Sequence, residues 1–355
     1  MRILIISFAG IGDTLFATPL IHELRANFPE AQIDALVRWA GSRDILEGNP
    51  HLNAVYQENL IQAGTLHALK FLWQLRKNKY AATLNTHPQS RFHYRAVARF
   101  INAPARISHE YDHDSIFDRL LVNRSIPQDY RRHSIENNLA LLGLMGIKPM
   151  LPHHEYEIFL SSAELAWADE FVSAHNLSGR KLLGIHAGSG DTKNLALRRW
   201  PLASYIELVQ KLNRSQPEVA IVLFGGAKER ADHERLLAET GGKLIFHPHT
   251  KNFRQAAALL KKCDAFLSVD TALMHLAAAM KVPGQIVIET PTWNTPIQPY
   301  NRKFTLVKNP AVGGRNLEYY RYDGHGIRGT DQEVRECMAS VSVDSVYQAV
   351  VAALK

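Results

Sequence analysis

Short apolar runs recur along this chain in two separate series, with amphipathic windows filling the gaps inside each. The first series is "RILIISF" (2–8), "QIDALV" (32–37), "AATLN" (81–85) and "ARIS" (105–108). The second is "KLLGIHAG" (181–188), "VAIVLFGG" (219–226), "KLIF" (243–246), "AFLSVD" (265–270) and "QIVIE" (285–289). Runs this short, spaced by helical windows, read as βαβ units around parallel sheets. A chain of 355 residues is too long for one ordinary core. The pattern therefore predicts an α/β protein of two similar doubly wound domains facing across a cleft, with ligands at the C-terminal ends of the strands. The segment "MGIKPMLPHHEYEIFL" (145–160), broken by glycine and prolines, is the linker candidate. The expected division is 1–160, 161–335 and a C-terminal helix over 336–355 with the option of packing back on the N-terminal domain.

Local patterns sharpen the first unit. Phe16, Leu20 and Leu24 recur at spacing four, and Ile21 and Phe28 widen the stripe into a core-facing helix. Pro19 inside that window predicts a kink or a late helix start. "MRILIISFAGIG" reads as a first strand rather than a secretion signal, because Gly10, Gly12 and Asp13 interrupt it.

Composition narrows the function. No apolar run approaches the roughly 20 residues that span a bilayer. Cys263 and Cys337 make neither a disulfide framework nor a zinc spacing, which suits a reducing cytosol. The net charge of +7 and a pI near 9.3 call for an anionic partner, either a nucleotide or an acidic lipid surface. Nucleic acid is set aside, since no long Lys/Arg block or nucleic-acid motif is present.

Five stretches carry candidate chemistry. In "FAGIGDTLFATP" a Gly10-x-Gly12 turn precedes Asp13, but leucine stands where a dinucleotide loop has its third glycine. Asp13 is thus either a helix cap or a carboxylate held for work. Ala187-Gly188-Ser189-Gly190 follows a strand with residues small enough to let backbone approach an anion. Arg198-Arg199-Trp200-Pro201 opens the next helix, and an arginine fork suits a diphosphate. In "LSVDTALMHLAAAM" Asp270 and Thr271 start a helix whose N-terminus is a ready anion site, with His275 on the Thr271 face. Gly225-Gly226 repeats the strand–glycine–helix logic and offers a place for a ribose or a base edge, with Glu229 near a hydroxyl.

These pieces, in this order, resemble glycosyltransferase family 9, the lipopolysaccharide heptosyltransferases and their relatives. The resemblance rests on "GIGDTLFATPLIHELRANFPEAQIDALV", "IHAGSG…RRWPLASYIELVQKL", "FLSVDTALMHLAAAM" and the closing "CMASVSVDSVYQAV". It implies a GT-B fold and an inverting, metal-independent transfer of a sugar, with heptose from ADP-heptose first in line, to a lipopolysaccharide inner-core hydroxyl. It further implies Asp13 as catalytic base and no cofactor beyond the nucleotide-sugar donor. Gly188, Ser189, Arg198, Gly225, Gly226, Glu229, Asp270, Thr271, Ala272 and His275 would bind that donor. Gly12, Arg91, Arg95, Arg132 and His133 would meet an anionic, lipid-linked glycan acceptor. The expected location is cytoplasmic, peripheral on the inner face of the bacterial inner membrane. Two departures stand out: Arg198 replaces the family's usual lysine two places before Trp-Pro, and Ala272 replaces glycine after Asp-Thr. A family relative with another donor or a non-lipid acceptor, and a nucleotide-binding regulatory module without turnover, are the alternatives.

Three signals are set aside. Asp112-His113-Asp114 matches a D-x-D metal signature but lies in a polar loop, His247 and His249 lack further ligands, and the loop 319–329 is aromatic and basic without a readable role.

Overall fold

The computed structural model describes residues 1–88, 91–190, 194–242, 244–315 and 327–355. The chain divides into two compact units between Phe159 and Leu160. Residues Thr295–Tyr300, within the stretch assigned from sequence to the second domain, return to the first unit. There Gln298 O accepts from His133 Nε2 at 2.8 Å, and the Tyr156 hydroxyl accepts from Tyr300 N at 3.3 Å.

The first unit runs β1 (Arg2–Ser7), α1 (Ile11–Phe16), α2 (Thr18–Asn27), β2 (Gln32–Val37), α3 (Ala40–Leu46), β3 (Ala54–Gln57), α4 (Thr65–Arg76), β4 (Ala82–Asn85), α5 (Phe92–Ile101), β5 (Ala105–Glu110), α6 (Ile116–Leu121), β6 (Arg124–Pro127) and α7 (Ser134–Ala140). Its sheet is parallel, in the order β3-β2-β1-β4-β5-β6. Central β1 is buried from Ile3 to Ser7, as a strand covered on both faces must be. Each fully buried Leu or Ile there contributes about 1.5–3 kcal/mol of burial. Strand order reverses direction at β1, so right-handed crossovers put α4 and α5 on the opposite face from α2 and α3. Accordingly Leu72 and Leu75 of α4 pack with Tyr94 and Val97 of α5 against Leu4 and Ile6.

The helix break foreseen at Pro19 is real. α1 stops at Phe16, and α2 restarts with Pro19 in its first turn, where a missing N–H removes no helical bond. The linker is strapped along α2. The buried Glu23 carboxylate accepts from Met150 N, Leu151 N and His154 Nε2 at 2.7–2.9 Å. Burial opposes its ionisation, yet these donors outweigh burial and hold it below the usual carboxylate range.

The second unit repeats the plan: α8 (Ser162–Ala174), β7 (Leu182–His186), α9 (Leu202–Ser215), β8 (Ala220–Leu223), α10 (Arg230–Thr240), β9 (Ile245–Phe246), α11 (Phe253–Leu260), β10 (Ala265–Ser268), α12 (Ala272–Ala279), β11 (Gly284–Ile288), β12 (Thr305–Val307), α13 (Asp331–Ala339) and α14 (Val343–Ala353). Its parallel order is β12-β11-β10-β7-β8-β9, the same winding as the first sheet. Residues 336–355 belong to the second unit. Met338, Val341, Val346 and Val350 are sealed into the second unit's core, where α14 lays its apolar face against α9 and β11. Among the described residues no helix is long and apolar enough to cross a membrane.

Candidate active site

In each unit the strand order reverses beside the first strand of the series, and such a switch point opens a crevice at the strand C-termini. In the second unit β7 and β10 are the neighbours there, paired His186 to Ser268. Gly188 and Ser189 follow β7, and Asp270 and Thr271 follow β10, at that same end of the sheet. Thr271 is the N-cap of α12, its hydroxyl accepting from Met274 N at 3.3 Å and touching His186 Nδ1 at 3.2 Å. The cap role falls to Thr271, so Asp270 is released for another partner.

That partner is Arg198. Its Nη1 donates to Asp270 Oδ2 at 2.9 Å and to Thr292 Oγ1 at 3.4 Å, and Thr292 Oγ1 donates to Asp270 Oδ2 at 3.1 Å. The guanidinium is 12% exposed and the carboxylate 9%. The other edge of the fork differs. Nε is buried with no hydrogen-bond partner among the described residues, and Nη2 faces the Gly190 loop, 3.5 Å from where a Cβ on that glycine would sit. A buried cationic N–H without an acceptor is costly, and the Nε/Nη2 edge is the one that grips an anion side-on.

Two glycines keep this cradle open. A Cβ on Gly188 would lie 2.7 Å from Glu229 Cγ and Oε1 and 2.8 Å from His186 Nε2, and one on Gly225 would meet His233 Cε1 at 2.8 Å. Glu229 Oε2 accepts from Gly226 N at 2.9 Å, closing the turn before α10. Arg199 locks the loop through Ser189, donating from Nε to the hydroxyl and from Nη2 to the carbonyl at 3.2 and 3.3 Å. His275 is buried one turn into α12, while Ala272 is the half-exposed residue at that helix's mouth. Burial holds His186 and His275 down at about 3, helped by His233 and then Arg199 and Arg198 at His186 and by Arg198 at His275. Both are neutral at pH 7, so the positive charge here comes from Arg198, Arg199 and the α12 dipole.

In the first unit Asp13 follows β1. Gly10 is the N-cap of α1, and its N–H donates to Asp13 Oδ2 at 2.6 Å. A Cβ at position 10 would lie 2.8 Å from that oxygen, so glycine is what lets the carboxylate fold back. Asp13 therefore caps its helix and remains half-buried at the strand end. Trp39 Nε1 donates to Ala9 O at 2.7 Å, and Arg38 lies over the Trp39 ring at 4.3 Å. Burial, then Arg91 and Arg38, lowers the His93 pKa, which places those two cations in one neighbourhood.

The acceptor candidates divide. Arg91 and Arg132 are exposed, although Arg132 Nε is 3.4 Å from Asp129. Arg95 is a correction: it is 1% exposed and donates to Asp114 Oδ2 and His109 O at 2.7 and 2.8 Å, because its place on α5 faces the sheet. His133 is another. It is buried as the N-cap of α7, accepting from Ile135 N and reaching Gln298 O. Gly12 is buried in the first turn of α1 and presents almost no surface to an acceptor. Asp114 of the D-x-D match belongs to the Arg95 pair, and His247 packs edge-on to His233. Residues 316–326, most of the aromatic basic loop, lie outside the described residues.

One further cluster has a metal-like composition. His22, His51 and Glu157 offer ligand atoms within 4.8 Å of one another. The two rings stack 3.8 Å apart at 13°, so their in-plane lone pairs do not converge, and His22 Nδ1 is bonded to Glu157 Oε1 at 2.6 Å. The cluster carries no metal assignment.

Sequence reasoning passed over His186, Thr292 and Arg38. The available signal was position: each ends or closely follows a strand of the series.

Comparisons place this geometry. The family model for Glycosyltransferase family 9 (heptosyltransferase) matches residues 68–319, a span that begins after Asp13. Lipopolysaccharide heptosyltransferase 3 of Escherichia coli is 27% identical over 294 residues, covering 77% of this chain and 78% of that protein. A solved glycosyltransferase family 9 protein from Veillonella parvula superposes with a TM-score of 0.77 at 17% identity, covering 99% of this chain and 97% of its own. The E. coli structure titled ADP-heptose lps heptosyltransferase II gives 0.71 at 20% identity, covering 100% and 98%. With two Rossmann-wound units in the GT-B fold, the chain belongs to glycosyltransferase family 9 and is a glycosyltransferase.

Proposed function

We propose that this enzyme moves a heptose from ADP-heptose to a hydroxyl of a lipopolysaccharide inner-core acceptor, in one inverting displacement without a metal. The observation that carries the donor half is the unpartnered Nε edge of Arg198, set between the Gly188–Gly190 loop and the α12 N-terminus. The choice of heptose and acceptor is supported by the names of the relatives, lipopolysaccharide heptosyltransferases among them.

In this reading Asp13 takes the proton of the acceptor hydroxyl as its oxygen bonds to the anomeric carbon. The bond from that carbon to the diphosphate oxygen breaks, and its electron pair leaves with ADP. Arg198 and the first N–H groups of α12 meet the developing charge, the role a metal ion fills in other transferases. Asp270 keeps Arg198 in place and faces sugar hydroxyls, with Glu229 toward the ribose. Arg38 and Arg91 receive acidic groups of the acceptor.

The test is transfer itself. Purified enzyme is offered ADP-heptose, a UDP-sugar or a GDP-sugar with a delipidated core acceptor, and mass spectrometry reads the product. Heptose added from ADP-heptose alone, undiminished by EDTA, is the expected result. Transfer from another donor only would replace the sugar assignment, and loss of activity with EDTA would remove the metal-free mechanism.

A further inference from the structure

β1 and β2 run parallel with Ser7 opposite Val37. Just past that pair the two chains leave the sheet together, and Trp39 Nε1 donates to Ala9 O at 2.7 Å. The accepting carbonyl belongs to the same peptide group as the Gly10 N–H, which donates to Asp13 Oδ2 at 2.6 Å. In a trans peptide the C=O and the N–H point opposite ways on one rigid plane. The indole and the carboxylate therefore hold the Ala9–Gly10 peptide from its two sides. Both contacts are shorter than the usual N–H to oxygen distance of about 2.9–3.0 Å. Hydrogen bonds in such a chain polarise one another, so the indole strengthens what Gly10 gives to Asp13.

The helix that carries Asp13 needs this support. α1 has six residues, too few to keep its place alone, so tertiary contacts set its position. Those contacts come from the start of α3. Trp39 is the N-cap position of α3, and Ser42 in its first turn accepts from Thr14 Oγ1 at 2.8 Å in a buried site. Trp39 itself is only half-buried. Its indole N–H is a donor and never an acceptor, so the direction of the bond to Ala9 is fixed. Arg38 lies over the same ring at 4.3 Å and donates from Nε to Asn59 Oδ1 at 3.2 Å.

We propose that Trp39 is a positioning residue for Asp13, its N–H fixing the orientation of the carboxylate through the Ala9–Gly10 peptide. The inference rests on the reading of Asp13 as the base. A base works only within hydrogen-bond reach of the acceptor hydroxyl, and a displacement of about 1 Å costs up to about a hundredfold in rate. Phenylalanine at position 39 keeps a ring under Arg38 but has no N–H. Histidine restores a donor, because its five-membered ring can set Nε2 where the indole nitrogen stood.

The experiment measures transfer from ADP-heptose to a delipidated core acceptor at about pH 8, where a histidine side chain is neutral. Wild type, Trp39→Phe, Trp39→His, Asp13→Asn and Trp39→Phe with Asp13→Asn are compared, and thermal melts report folding. Trp39→Phe is expected to lower kcat about tenfold or more, with acceptor KM and ADP affinity within about twofold of wild type. Trp39→His should recover part of that loss. In the Asp13→Asn background Trp39→Phe should change kcat by less than about twofold, since no base remains to be misplaced. A folded Trp39→Phe protein with kcat within about twofold of wild type, beside an inactive Asp13→Asn protein, overturns this inference and leaves the base reading standing. Equal losses in both backgrounds, or a Trp39→His protein no more active than Trp39→Phe, also overturn it. An Asp13→Asn protein as active as wild type removes the base reading itself, and this inference with it.

Discussion

Arg198→Ala removes the group on which the donor reading turns, and its effect follows from the contacts. Nη1 is committed to Asp270 and Thr292, so the edge left for a diphosphate is Nε with Nη2. A hydrogen bond to a charged group contributes about 1.5–3 kcal/mol, and about 1.4 kcal/mol is tenfold in affinity. Losing one such bond therefore raises the dissociation constant for ADP by about 10- to 150-fold. The substitution also leaves the Asp270 carboxylate facing the diphosphate with the Thr292 hydroxyl still donating to it, adding repulsion. Arg198→Ala with Asp270→Asn should thus bind ADP more tightly than Arg198→Ala alone, by about 3- to 10-fold. Arg198→Lys keeps the charge without the planar fork and falls between wild type and alanine. Isothermal titration with ADP at fixed salt reads all four proteins, and thermal melts confirm that each is folded. A folded Arg198→Ala protein that binds ADP within threefold of wild type would refute the assignment.

Three shorter predictions rest on other contacts. Gly188→Ala places a methyl against Glu229 and the His186 ring, so it should cost about 1–3 kcal/mol in stability and weaken ADP binding, both read by melts with and without ligand. Asp114→Ala removes the nearer carboxylate of buried Arg95, leaving Asp118 at 3.6 Å, and should destabilise the protein by about 3 kcal/mol in denaturant titration, with no direct effect on ADP affinity. Burial is the main cause that holds His186 and His275 at about 3 and His109 and His233 at about 4, so they stay neutral while the unfolded chain takes up protons below about pH 6.5. Their stabilisation is complete above that pH and is lost as pH falls toward 4, at about 1.4 kcal/mol per unit for each histidine. Melting temperature should therefore drop steadily from pH 6.5 to 5, and a flat profile would contradict the buried neutral assignment.

How much was legible depended on how local each feature is. Eight of the nine strands read from sequence are long or central ones, where apolar runs stand clear of their flanks; the ninth, β9, is a two-residue edge strand marked by Leu244, Ile245 and Phe246. β3, β6 and β12 escaped because each is a three- or four-residue edge strand with exposed or half-buried positions, and one ends in Pro127. The glycine loops and Asp270-Thr271 were readable because a strand end, a small residue and a helix start are neighbours in sequence. The Arg198–Asp270–Thr292 group was not, since its members come from three places joined only by strand order. Arg95 was misread because charge was weighed without periodicity. Tyr94, Val97, Ala98 and Ile101 mark the buried stripe of α5, and Arg95 is buried with them.

The central claim is that Asp13 accepts the acceptor's proton in a glycosyl transfer. Asp13→Asn keeps the size of the side chain and an oxygen for the Gly10 N–H, but not the base. General-base catalysis is worth about 10²–10⁴-fold, so turnover with ADP-heptose and a delipidated core acceptor should fall by at least about a hundredfold while ADP affinity stays within twofold of wild type. Turnover within a few fold of wild type in a folded Asp13→Asn protein would contradict it.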